Sequence, residues 1–311
     1  AIGPCLVEQH AEHICGGAVK RQVALLTLSG IREAERLKAI AAERGHSVVL
    51  FEASDHIGGQ LVLAQRIPGK EEFGPLVDWF ATRLAVTGVD LRLHTAATPE
   101  MLAGFDEVVV ATGVIPRHPD IAGQDRAITY LDVLNGAAVG PRVAIIGAGG
   151  IGFDVAEYLT QTGPSATTDP ALWRREWGVG DPAQVAGGLL PPAPVPPARQ
   201  VWLLQRKAEK PGRGLGKTTG WIHRAALAAR GVRMLGGVTY REISDQGLLI
   251  ERDGTAELLA VDTVVLCTGQ TPNRALALSL PSAHVIGGAD VATELDAKRA
   301  IDQAARLAAR L

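Results

Sequence analysis

Three glycines, Gly147, Gly149 and Gly152, stand in G-x-G-x-x-G spacing within "VAIIGAGGIGFDVAEYL". An apolar run precedes them and a helix-like run follows, so they fall in a strand-to-helix turn. The chemistry of such a turn is the grip of a dinucleotide pyrophosphate. Gly147 permits the tight turn, Gly149 lets backbone approach the phosphates, and Gly152 lets helix and strand pack closely. Gly150 and Ile151 open the helix, where unpaired N–H groups face an anion. A glycine turn made only for packing is the alternative reading; the strand–turn–helix context favours the phosphate site.

The next strand, "VWLLQ", ends in Arg206 and Lys207. An acid at that place binds a ribose 2′-hydroxyl and repels a 2′-phosphate. Two cations do the reverse. Each charge-assisted hydrogen bond is worth ~1.5–3 kcal/mol, so the pair selects NADP(H) over NAD(H); ordinary solvated charges are the alternative. "GRGLGKTTG" (Gly212 to Gly220) imitates a P-loop, but only three residues separate Gly212 from Gly216 where four are required, and Pro211 precedes them. A kinase or ATPase reading fails.

These residues need a scaffold, and the chain's 311 residues suffice for two modest domains. Its 36 glycines are the informative excess, while a net charge of −2 gives no bulk attraction to nucleic acid or anionic membrane. No apolar run approaches a membrane span and no signal peptide stands at the start, so a cytoplasmic protein is expected. Three cysteines, Cys5, Cys15 and Cys267, form no disulfide framework. Residues 164–200 hold eight prolines and read as an irregular surface excursion.

Strands and helices alternate. "QVALLT", a helix and "HSVVLFEA" make an opening βαβ unit whose second strand ends in Glu52, the place of a ribose-binding acid. "EEFGPLVDWFATRLAVTG" reads as a helix and "VDLRLHT" as a strand. "DEVVVATG" and "DTVVLCTG" both run apolar into Thr-Gly, at Thr112-Gly113 and at Thr268-Gly269. The expected fold class is α/β, two Rossmann-like dinucleotide-binding domains with parallel sheets covered by helices on both faces.

The segments "FEASDHIGGQLVLAQRIPGKEEF", "VAIIGAGGIGFDVAEYL", "LLQRKAEKPGRGLGKTTGWIHR" and "VIGGADVATELDAKRAI" resemble the C-terminal flavoprotein half of bacterial NADPH-dependent 2,4-dienoyl-CoA reductase, over roughly residues 44–311. Trimethylamine dehydrogenase-like flavoproteins resemble it more distantly. The resemblance implies a glutathione reductase-like arrangement: an FAD domain (22–115 and 258–311) interrupted by an NADPH domain (116–257), after a tail (1–21). It implies that Glu52 binds the FAD ribose, that Gly58, Gly59, Gln60 and Lys70 line the flavin side, and that Ala97, Thr112 and Gly113 lie near the adenosine half. Gly269 closes the second Thr-Gly turn, Gly288, Asp290 and Val291 would hold the ribityl–pyrophosphate end, and Trp221 would lie near the nicotinamide. Plain core for Trp221, solvated side chains for Gln60 and Lys70, and an N-cap for Asp290 stay open beside these roles.

The implied activity is hydride transfer from NADPH to FAD, with electrons leaving toward an FMN-containing barrel or another acceptor. Two departures bear on it. Where the family has its first glycine-rich turn, this chain has Thr27, Leu28, Ser29, Gly30, Ile31 and Arg32, which puts FAD affinity in question. Where the family holds a [4Fe–4S] cluster on four cysteines, this chain has Cys5 and Cys15 with His10 and His13, so no normal cluster and no metal site are expected. No residue matches the barrel, no catalytic side chain is named, and turnover of dienoyl-CoA by this chain alone is not expected. A flavin-free NADP(H)-binding remnant or scaffold is the second reading.

Overall fold

The structure, a computed structural model, describes residues 21–27, 40–292 and 297–311. The first turn with Gly30 and Arg32, and the tail with Cys5, Cys15, His10 and His13, lie outside the described residues. The chain divides into two compact units: one takes residues 1–57, 80–113 and 273–311, the other 58–79 and 114–272.

In the first unit, β1 (Gln22–Thr27), β2 (Ser47–Glu52), β3 (Asp90–Arg92), β4 (Glu107–Ala111) and β15 (His284–Val285) form one sheet in the order β15-β4-β1-β2-β3. Every pairing in it is parallel. Val23, Ala24 and Leu25 are 0% exposed, the near-continuous apolar run expected of a strand covered on both faces. Ala24, Leu26, Phe51, Leu102, Val110 and Ala289 make its core, and Phe105 meets Phe51 edge-on at 6.0 Å.

In the second unit, β6 (Ile128–Thr129), β7 (Arg142–Ile146), β8 (Gln200–Leu204), β9 (Arg233–Leu235) and β13 (Thr263–Leu266) form a parallel sheet in the order β6-β13-β7-β8-β9. The strand period of two sorts its residues. Val143, Ile145, Val201, Leu203 and Val265 pack with Phe153, Ala156 and Leu227 from helices Gly150–Thr160 and Gly220–Ala229. Ala144, Ile146, Trp202, Leu204, Val264 and Leu266 pack instead with Ile243, Leu248, Ile250 and Leu259. Those four come from an antiparallel sheet of β10 (Thr239–Ser244), β11 (Gly247–Arg252) and β12 (Thr255–Leu259). The expected helices on both faces are therefore corrected: strands cover the second face, because alternate apolar residues of β11 supply the same burial. A short pair, β5 (Val114–Pro116) with β14 (Gln270–Pro272), follows the two Thr-Gly turns.

Two further expectations change. Residues 258–272 group with the second unit, since β13 pairs with β7 along Thr263–Leu266. Residues 58–79 group with it as well. The proline-rich excursion is less irregular than its composition suggests. It contains a helix, Pro170–Trp177, started by Asp169, whose side chain accepts from the Ala171 and Leu172 N–H groups, and ended by Gly178 in the left-handed region. No helix among the described residues is long and apolar enough to cross a membrane.

Candidate functional site

The glycine turn after β7 has the geometry its spacing predicts. Gly147 has φ +114°, and a Cβ there would lie 2.2 Å from the Cys267 carbonyl oxygen. A Cβ on Gly152 would lie 1.8 Å from the Gly147 carbonyl oxygen and 3.3 Å from Leu203. Both positions are closed to side chains by backbone. Gly149 and Gly150 differ: a Cβ on either meets nothing within 4 Å. Their backbone faces open space, where a phosphate can approach. Gly149 is the N-cap of helix Gly150–Thr160 and gives it no side-chain cap, so the first-turn N–H groups remain for an anion.

A cleft of about 790 Å³ opens at this turn, over the C-terminal ends of β7, β8 and β13. Arg206 and Lys207 line it beside Gly147 and Gly149. Both are exposed, and neither forms an ion pair recorded among the described residues. Arg117, Arg213 and Tyr240 line it too, with the acids Asp120 and Glu209 among the remaining residues. Arg213 pairs with Glu209 at 3.4 Å and comes from the segment set aside as a failed P-loop. Its signal was the cation density of "RKAEKPGR", not the loop pattern. Arg117 donates to the Thr268 carbonyl oxygen, and Thr268 Oγ1 donates to the Arg117 carbonyl. Burial pushes the Tyr240 hydroxyl pKa up, and the Arg206 charge pulls it part of the way back. The residues present fit a dinucleotide phosphate with a cationic rim.

Other expected residues sit apart from that cleft. Lys70 Nζ donates to Asp154 Oδ2 at 2.5 Å, so it is paired rather than solvated. Gln60, Tyr130 and Gln270 form a polar knot, with Gln270 Nε2 donating to the Tyr130 hydroxyl at 2.6 Å and to Gln60 Oε1 at 3.2 Å. Gly58 and Gly59 have φ of 125° and 40° and lead into helix Gln60–Ala64. Trp221 is 58% exposed on helix Gly220–Ala229 and is not among the residues lining the cleft, which removes the plain-core reading. Gly269 has φ +98°, with the Arg117 guanidinium 3.1 Å from where its Cβ would lie. Cys267 lies just past β13, buried, its thiol pKa pushed up by burial above all, with the Asp154 charge second. It is a small buried hydrophobe.

In the first unit, Glu52 ends β2 at 1% exposure and accepts from the Ser54 N–H at 2.9 Å. Thr112 Oγ1 donates to the Asn273 carbonyl at 2.5 Å, and Asn273 N–H donates to the Gly113 carbonyl at 2.9 Å. Gly113 has φ +69°. Ala97 packs on the first unit's core. Gly288 is buried in the turn Gly287–Ala289. Asp290 accepts from Gln303 Nε2 at 2.9 Å and lies 3.6 Å from Arg274, while Val291 is 41% exposed. A buried acid at a strand end and glycine turns are groups that suit a ribose and a pyrophosphate. Among the described residues no group of three His, Cys, Asp or Glu could hold a metal ion.

The chain is 32% identical over 251 residues to a metal reductase of Desulforamulus reducens, covering 74% of this chain and 35% of that protein. It is 37% identical over 136 residues to an NADH oxidase of Thermoanaerobacter brockii, covering 41% of this chain and 21% of that protein. The chain thus spans about a third or less of the length of these relatives. Among solved structures, a 2-naphthoyl-CoA reductase matches with a TM-score of 0.76 at 23% identity, over 94% of this chain and 40% of that one. A thioredoxin reductase of T. acidophilum matches with a TM-score of 0.60 at 14% identity, over 93% of this chain and 97% of that one. At these identities the structures show the fold alone. The model of the pyridine nucleotide-disulphide oxidoreductase family matches residues 28–298. Membership implies binding of FAD and of a pyridine nucleotide without distinguishing NADPH from NADH. This chain belongs to the pyridine nucleotide-disulphide oxidoreductase family.

Proposed function

We propose that this chain is the electron-input module of an NADPH-dependent flavoprotein oxidoreductase, similar in role to the corresponding half of 2,4-dienoyl-CoA reductase. One observation carries the nucleotide choice. Arg206 and Lys207 line the cleft at the glycine turn with no carboxylate paired to either among the described residues. Two such cations favour a 2′-phosphate, while the Arg213 charge on the same wall is met by Glu209. When bound, NADPH and FAD supply the hydride chemistry between them. The chain's own residues bind and orient. Gly149 and Gly150 bring backbone to the pyrophosphate, and the helix they open offers its N–H groups. Glu52, buried at the end of β2, is the residue proposed for the FAD ribose.

The electron acceptor is a partner, an FMN-containing barrel being the reading the resemblance favours. A second reading, a flavin-free NADP(H)-binding protein, is favoured by one feature: the sequence Leu28–Arg32 holds a single glycine. Calorimetry with NADPH and NADH tests the first point, with NADPH expected to bind at least tenfold tighter. Equal affinities would overturn it. A visible absorbance scan of fresh protein tests the second. A flavin spectrum bleached by NADPH supports the module; colourless protein that still binds NADPH supports the remnant.

A further inference from the structure

A second cavity, of about 420 Å³, lies in the second unit and shares no lining residue with the dinucleotide cleft. It sits at the other end of helix Gly150–Thr160, about 16 Å along the axis from the glycine turn at ~1.5 Å rise per residue. It also marks the root of the proline-rich excursion. There Ala198 N–H donates to the Thr160 carbonyl at 3.2 Å, and Thr162 Oγ1 donates to the Pro196 carbonyl at 2.8 Å. These bonds close the neck of the excursion, and Arg199 follows directly.

Two arginines line this cavity, Arg66 exposed and Arg199 half-buried. Arg66 donates to the Leu134 carbonyl. Arg199 donates to the Val139 and Leu159 carbonyls at 3.5 and 3.3 Å. These bonds anchor the side chains and leave most of the five donors of each guanidinium unused. No acidic residue lines the cavity, and neither arginine has an ion pair recorded among the described residues. Tyr158 and Gln161 add polar groups, while Val133 and Leu159 add apolar wall.

The charge balance decides the ligand's sign. A helix C-terminus contributes about −0.5 charge, and two arginines contribute two full positive charges against it. The volume falls within the ~300–1,000 Å³ of small-molecule sites, well beyond a bare ion. Two forked cations beside an apolar wall match a dianionic head that accepts paired N–H donors and carries an organic group. We propose that this cavity binds a small phosphomonoester, at a site separate from the dinucleotide cleft.

The probe is phenyl phosphate, titrated calorimetrically into the whole chain at constant ionic strength set with chloride. The expected result is saturable one-to-one binding that survives R206A/K207A, because the other cleft's cations are not involved. R66Q and R199Q should each weaken it at least tenfold while changing NADPH affinity less than twofold. R199K should fall between R199Q and the unaltered chain, since ammonium cannot supply the paired geometry. If the glutamine variants fail to fold, the unaltered chain and R206A/K207A decide alone. Absence of saturable binding to the unaltered chain overturns the proposal. So does loss of binding in R206A/K207A, or undiminished binding in folded R66Q and R199Q, which would leave both arginines as caps on helix carbonyls.

Discussion

The two units carry the same sheet twice. In the first, the order is β15-β4-β1-β2-β3; in the second, β6-β13-β7-β8-β9. β1 is central in the first, between β2 and β4, and β7 in the second, between β8 and β13; β4 and β13 both run into Thr-Gly. What differs is the tip of the second strand. β2 ends in Glu52, buried at 1% exposure; β8 runs into Arg206 and Lys207, both exposed. One backbone plan thus presents an acid in one copy and cations in the other. In the proposed function the sheet provides the place for a nucleotide, and the charge at one strand end would select which ribose it accepts.

The sharpest break of this parallel lies in the glycine turn of the second unit. G152A puts a Cβ 1.8 Å from the Gly147 carbonyl oxygen, and backbone must move. We expect a loss of roughly 3 kcal/mol or more in urea unfolding, as for other backbone clashes in a packed site. G149A meets nothing within 4 Å. It should change stability by under about 1 kcal/mol, the ordinary scale for a surface Gly-to-Ala change, yet weaken NADPH binding at least tenfold by standing where phosphate approaches. Equal stability losses in the two variants would show that the turn is built for packing alone.

Next in size is the strand-tip exchange. R206A/K207A removes up to two charge-assisted contacts, ~1.5–3 kcal/mol each. NADPH affinity should fall more than tenfold in calorimetry while NADH affinity stays within twofold. A parallel loss for both nucleotides would assign the cations to the pyrophosphate instead. On the other sheet, E52Q should lower FAD retention about tenfold, one charge-assisted contact's worth, measured as flavin-to-protein absorbance ratio after dialysis. Unchanged retention would mean the acid has lost its ribose.

Much of this was legible in the sequence, and the reason is local. Gly147 and Gly152 answer backbone demands at a fixed offset and Gly149 leaves the space beside the turn open, so spacing alone reveals them. Glu52, Arg206 and Lys207 follow because a strand end has a definite place in the fold. Arg117, Arg213 and Tyr240 did not follow. They reach the cleft from three separate loops and strands, and no periodicity links them. The second-face sheet was legible but unread. "RDGT" places Asp253 and Gly254 at φ of 51° and 76°, the turn that Asp-Gly favours between alternating strands. The proline count of the excursion hid the Asp169-capped helix within it.

The smallest effect compares one histidine from each unit. In the second, His223 Nδ1 lies 2.7 Å from Glu157 Oε1, and that hydrogen bond, against burial, raises the imidazole pKa above its usual 6.5. A raised folded pKa means that the charged form is favoured by folding. Its stability contribution is full below pH 6.5 and is lost as pH rises through the folded pKa. In the first unit, His46 is 7% exposed, and burial first, then the charges of Arg44 and Arg21, lower its pKa below 6.5. Here the neutral form is favoured, so the contribution is present above pH 6.5 and is lost as pH falls through the folded pKa. The two histidines therefore tilt stability in opposite directions around pH 6.5. Urea midpoints measured from pH 5.5 to 8.5 should fall less on the alkaline side in H223Q than in the unaltered chain. In H46Q they should fall less on the acid side. His223 is half-exposed, so solvent screening keeps its slope shallow. If H223Q leaves the alkaline limb unchanged, the Glu157 bond does not hold the proton, and the asymmetry between the two units rests on the strand tips alone.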